Sequence, residues 1–136
     1  MAITGQCGCG GVRFTLDSAK GKGACHCGVC RRTSGGVYIE WVTKRPESSA
    51  LELADGVTLT ELQTSSYLTR KSCSRCGASV VNRAALDNGY VGDNWMAALL
   101  DDPGAVPRTH HIYYADRIVD VDDGLPKFDA YGRPKK

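Results

Sequence analysis

A chain of 136 residues, 42% hydrophobic and 24% charged, has the size and composition of a single domain, read here as spanning 1–136. Its longest apolar run, residues 96–100, is far too short to cross a bilayer, and residues 1–7 lack the basic and apolar segments of a secretory leader, so the expected location is cytoplasmic. The formal charge is only +2, too little for the basic face that phosphate binding wants, which argues against nucleic acid as the main partner.

In chain order, the first feature is Cys7-Gly8-Cys9, a pair that can chelate because glycine lets the chain turn between the sulfurs. Val12, Phe14 and Leu16 then alternate with Arg13 and Thr15, the period of a half-buried strand. Cys25-His26-Cys27 and Cys30 follow, and a short helical turn is expected after Cys27, through Arg31 and Arg32. Val37, Ile39 and Trp41 alternate with Tyr38 and Glu40, and residues 57–60 alternate again. Cys73 and Cys76 form a Cys-x-x-Cys pair, with Gly77 placed to turn the backbone sharply, and residues 79–81 resume a strand. Residues 96–100 fit helix or strand equally. Residues 101–104 and 122–124 read as turns whose paired aspartates are solvated loop charge, and residues 133–136 as a solvated basic tail. The whole reads as mainly β with short helical turns, and 16 glycines suit short strands better than long helices.

Seven cysteines are an odd number, and the expected compartment is reducing, so a disulfide framework fits poorly. The spacings are metal spacings, and zinc favours thiolates in a tetrahedron. Spacing alone permits two partitions. One joins Cys27, Cys30, Cys73 and Cys76 in a ribbon-like site. The other joins Cys7, Cys9, Cys73 and Cys76, leaving Cys25, Cys27 and Cys30 as a three-thiolate cluster with a coordination position open.

The strings at residues 5–14, 25–32 and 70–77, with the tail segments 111–113 and 123–128, resemble the glutathione-dependent formaldehyde-activating (GFA) family in order and over nearly the whole chain. The core motifs are also similar to those of centromere protein V. The resemblance implies the second partition: a structural zinc on Cys7, Cys9, Cys73 and Cys76, and a reactive zinc on Cys25, Cys27 and Cys30, two ions per chain. It also implies an Mss4-like zinc-bound β fold. The implied activity is that of a carbon–sulfur lyase joining glutathione, or a similar small thiol, to formaldehyde.

An open zinc suits that reaction because it can lower the pKa of a bound thiol or polarise a carbonyl. His26, between two ligands, is the first candidate for a catalytic or supporting group, although a tight turn would point its side chain outward. His110 and His111 are expected at a surface or strand edge. Arg31 and Arg32 could attract a substrate carboxylate. Tyr38 and Trp41 read as core, and Trp95 fits core or pocket. The competing reading is a non-catalytic zinc module that binds a thiol metabolite or a protein partner, and a redox switch at Cys25, Cys27 and Cys30 is a third.

Overall fold

The computed structural model describes residues 2–131; the basic tail at 133–136 lies outside the described residues. In chain order the elements are β1 (Ile3–Gln6), β2 (Val12–Leu16), β3 (Lys22–Cys25), the helix α1 (Gly28–Ser34), β4 (Ile39–Lys44), β5 (Ser49–Leu53), β6 (Leu59–Gln63), β7 (Leu68–Cys73), β8 (Ser79–Ala85), β9 (Val91–Met96) and β10 (Arg108–Ile112). The fold is mainly β. Three strands pair in the order β1–β2–β5, and seven in the order β10–β3–β4–β9–β8–β7–β6. All neighbours are antiparallel except β10 and β3, which run parallel. A parallel pair needs a long crossover, and here most of the chain lies between the two partners.

The strand pattern of β2 is the one its sequence predicts. Val12, Phe14 and Leu16 are almost fully buried and Arg13 is exposed. Phe14 stacks on Trp95 with ring centroids 4.6 Å apart, which assigns Trp95 to the core. Around them pack Val42, Val80 and Leu100, each burial worth about 1.5–3 kcal/mol for a side chain of this kind. Cys7 and Cys73 belong to this same core.

β4 departs from the simple alternation. It begins at Ile39, and Val37 lies before it at 44% exposure. Val42 enters the main core, whereas Ile39 and Trp41, on the opposite face, pack against a second cluster formed by Cys25, Cys30 and Ile112. Both faces of this interior strand are covered, so a period of two cannot show which side is inside. Residues 96–100 divide between the end of β9 and a single 3-10 turn, Ala97–Leu99.

Candidate metal centre

All seven cysteines are free thiols, and they gather into two groups. The sulfurs of Cys7, Cys9, Cys73 and Cys76 all lie within 4.8 Å of one another, as do those of Cys25, Cys27 and Cys30. The ribbon-like alternative is therefore not the one the fold builds.

The four-sulfur group joins two turns built alike. Gly10 N–H donates to Cys7 O at 3.0 Å, and Gly77 N–H to Cys73 O at 2.9 Å. Both glycines have positive φ, 76° and 78°, which L side chains rarely adopt. Gly77 serves as the sequence suggests, but in the first turn the left-handed residue is Gly10 and not Gly8. The N–H groups of Val12 and Gly11 point at Cys7 Sγ and Cys9 Sγ, at 3.2 and 3.4 Å, and those of Arg75 and Cys76 at Cys73 Sγ, both at 3.4 Å. Such donors stabilise thiolates. Arg75 Nε also reaches Cys9 Sγ at 3.3 Å, and this guanidinium is the main cause that lowers the Cys9 pKa to about 6.

The donor set fits zinc. A Zn–S bond of about 2.3 Å sets the edge of a sulfur tetrahedron at about 3.8 Å. Cys7 and Cys9 sulfurs are 3.5 Å apart, and those of Cys9 and Cys73 3.8 Å, across 64 positions of sequence.

The three-sulfur group sits where β3 ends and α1 begins. Cys27 is the N-cap of α1, its Sγ accepting from Cys30 N–H at 3.3 Å, and Gly35 closes the helix in the left-handed conformation. Hydrogen bonds from Cys25 and Cys30, with the first N–H groups of α1, hold the Cys27 thiol far below its usual range, while bonds to Cys27 and Cys30 and then burial push Cys25 far up. Three thiolates this close repel one another, and a bound cation favours their ionisation together. Ile39, Trp41, Tyr113 and Phe128 pack against it. Tyr113 is the one described non-glycine residue with positive φ, at 51°, a strained conformation of the kind found at functional sites.

His26 is not turned outward. It is fully buried, as is His111. His26 Nε2 and His111 Nδ1 are 2.8 Å apart, and His111 Nε2 is 2.7 Å from Asp123 Oδ2. β10 is the edge strand expected for His111, but that edge is covered: His111 N–H donates to Pro126 O at 3.0 Å, and Phe128 N–H to His111 O at 2.9 Å. Asp123 is accordingly not solvated loop charge, although Asp122 is exposed. His110 points the other way, to a cleft of about 290 Å³ lined by Gly23, Trp41 and Lys44 but by no cysteine.

Tyr38 lies beside His26, ring centroids 4.8 Å apart, and accepts from Arg108 Nη2 at 2.8 Å, so it belongs to a polar network and not to the main core. Arg32 is exposed, and Arg31 is half-buried with an Nε that has no hydrogen-bond partner.

Residues 2–116 match the family described as glutathione-dependent formaldehyde-activating enzyme. The chain belongs to the GFA family. In fold this GFA-family chain is similar to a Rhodobacter sphaeroides protein of known crystal structure, at 22% identity and a TM-score of 0.53, over 78% of this chain and 99% of that one. No match was found among curated proteins.

Sequence reading of this GFA protein missed Arg70, whose Nη2 lies 3.6 Å from Cys30 Sγ while its Nε bonds Thr64 Oγ1 at 3.2 Å. It is 40 positions from Cys30, and only the register of β7 brings it there. Among the described residues no helix is long and apolar enough to cross a membrane. Anaerobically purified protein is expected to carry two zinc ions by elemental analysis, one per group. No zinc, with intramolecular disulfides in the mass spectrum, would overturn the assignment of these thiols to metal.

Proposed function

We propose that this GFA-family protein is a zinc-dependent carbon–sulfur lyase that joins glutathione, or a closely similar small thiol, to formaldehyde as S-(hydroxymethyl)glutathione, and that releases it in reverse. The observation that carries this reading is the division of thiols into four and three. Four protein ligands close a tetrahedron; three leave a position for substrate. On this reading Cys7, Cys9, Cys73 and Cys76 hold a structural zinc, and Cys25, Cys27 and Cys30 hold the reactive one. Both serve one cytoplasmic domain, 1–136, of Mss4-like architecture.

In the reaction the thiol S–H bond breaks and a C–S bond forms at the formaldehyde carbon. The carbonyl π pair becomes a hydroxyl that takes up a proton, so no oxidant or reductant is needed. When bound, zinc supplies stabilisation of a thiolate and polarisation of a carbonyl oxygen. The chain supplies the rest. Arg70 sets a positive charge against Cys30 Sγ, which offsets the charge of the thiolates and draws an anionic thiol. Ile39, Trp41, Tyr113 and Phe128 wall the loop with apolar surface, which limits water and strengthens these charge interactions. His26 fixes the loop between Cys25 and Cys27 from inside the protein.

The test is the initial rate of S-(hydroxymethyl)glutathione formation by protein carrying two metal ions, followed by NMR against the spontaneous reaction. The expected result is a rate above background that Cys27→Ser removes. A fully loaded protein that leaves the background rate unchanged sinks the lyase reading and leaves a zinc module that binds without turnover.

A further inference from the structure

Asp123 accepts from four donors, three of them independent of the histidines. Its Oδ1 accepts from Leu125 N–H at 3.1 Å and Lys127 Nζ at 2.9 Å. Its Oδ2 accepts from Arg108 Nη1 at 3.2 Å as well as from His111 Nε2 at 2.7 Å. Burial opposes ionisation, but these bonds together hold the carboxyl well below the usual range. An ionised carboxylate only accepts, so His111 Nε2 carries the hydrogen. When the His111 imidazole is neutral its other nitrogen is an acceptor, and His111 Nδ1 then receives the hydrogen of His26 Nε2 across 2.8 Å. The chain of bonds has one direction, from His26 through His111 to Asp123.

The His26 ring is confined on its remaining sides. Tyr38 lies against it, and the Tyr114 ring meets it edge-on with centroids 5.0 Å apart. His26 N–H donates to Ile112 O at 3.1 Å, which extends the β3–β10 pairing past Cys25. Both the backbone and the side chain of the residue between Cys25 and Cys27 are thereby tied to the C-terminal segment.

We propose that Asp123 and His111 are positioning residues for the three-thiolate metal site: acting through His26, they hold the Cys25–Cys27 turn in the geometry that binds metal. This rests on the reading that Cys25, Cys27 and Cys30 hold an ion. Groups that orient metal ligands through hydrogen bonds commonly control affinity by about 10–100-fold when removed. His111 stands one bond further from the metal than such groups and Asp123 two, so the expectation lies at the lower end of that range.

The test uses two variants of one position. In His111→Asn the amide oxygen can stand near the place of Nδ1 and still accept from His26 Nε2. His111→Leu fills more of the buried volume and accepts nothing. Cobalt affinity of each site is measured by chelator competition, with the absorption bands recorded, and the four-cysteine site serves as reference within the same molecule. His111→Leu is expected to weaken the three-cysteine site about 10-fold and to shift its bands, leaving the four-cysteine site unchanged, while His111→Asn stays near wild type. If packing alone mattered, leucine would do at least as well as asparagine. That order of affinities, or equal affinity in all three proteins, overturns the proposal. So does equal weakening of both sites, which would mark a general loss of stability. Should His111→Leu fail to fold, Asp123→Asn carries the same expectation, since it keeps the volume but removes the charge that fixes the direction of the bonds. Wild-type protein that binds one cobalt ion and no second would overturn the underlying metal reading together with the proposal, and is distinguished from the other failures by stoichiometry.

Discussion

Cys73→Ser is expected to leave no cooperatively folded protein, whereas Cys27→Ser keeps the fold. Cys73 is 2% exposed, ends β7 and packs in the main core beside Val80 and Val81. It accepts the N–H groups that shape its turn, and its sulfur meets those of Cys7 and Cys9, which lie between β1 and β2 of the other sheet. Structural zinc binding is worth roughly 10–16 kcal/mol in small zinc peptides, as much as the whole stability of an ordinary domain. Loss of one ligand there also buries a hydroxyl in place of a sulfur. Cys27 is different. It is half-buried, and as the N-cap of α1 it already does what serine does best, accepting the N–H of Cys30. The measurement is thermal unfolding by circular dichroism together with soluble yield. Cys73→Ser should show no cooperative transition, and Cys27→Ser a shift of a few degrees, about what 1 kcal/mol produces in a chain of this size. Equal damage from both changes would mean two structural sites.

The second large effect concerns thiol binding. Cobalt-loaded protein is expected to change its ligand-field and sulfur charge-transfer bands on addition of glutathione, because a fourth sulfur joins Cys25, Cys27 and Cys30. Entry of a thiol as thiolate releases a proton, so the apparent affinity should rise with pH toward the thiol's own pKa. Cys27→Ser should abolish the response while the bands of the four-cysteine site persist. Arg70 lies against Cys30, so an uncharged small thiol should bind less tightly than an anionic one at low salt, and salt should narrow the difference. If no small thiol alters the spectrum of a protein holding two cobalt ions, thiolate delivery fails as the mechanism.

The pairing of cysteines within each turn was the most legible part of the sequence, because spacing there is a local quantity. Spacing could say that Cys73 and Cys76 act together, but not whether their partners were Cys7 and Cys9 or Cys27 and Cys30, since that depends on how β2, β3 and β7 are placed. The strand in which Val12, Phe14 and Leu16 alternate was legible because one of its faces meets the core. β4 was less so, because Val42 and Trp41 are both covered, on opposite faces. The histidines were read from their neighbours in sequence. A Cys-x-Cys turn gives no reason to bury His26, and its side-chain partner, His111, comes 85 positions later. Asp123, written within an acidic turn, looks like any solvated aspartate until β10 and the segment after it are in place. Arg70 carries no local sign of its role at all.

The parallel pairing of β10 with β3 also sets an order of manufacture. The ligands of the four-sulfur site have all been made by Cys76, so that site can close on an unfinished chain. The three thiols at 25, 27 and 30 are made among the first, but Ile112 and Phe128, which pack against them, are made near the end. At about 5–20 residues per second, roughly a hundred residues separate Cys30 from Phe128 by about 5–20 s. For that interval the three-thiol loop lacks the side chains that later pack against it, while the four-sulfur group can already form.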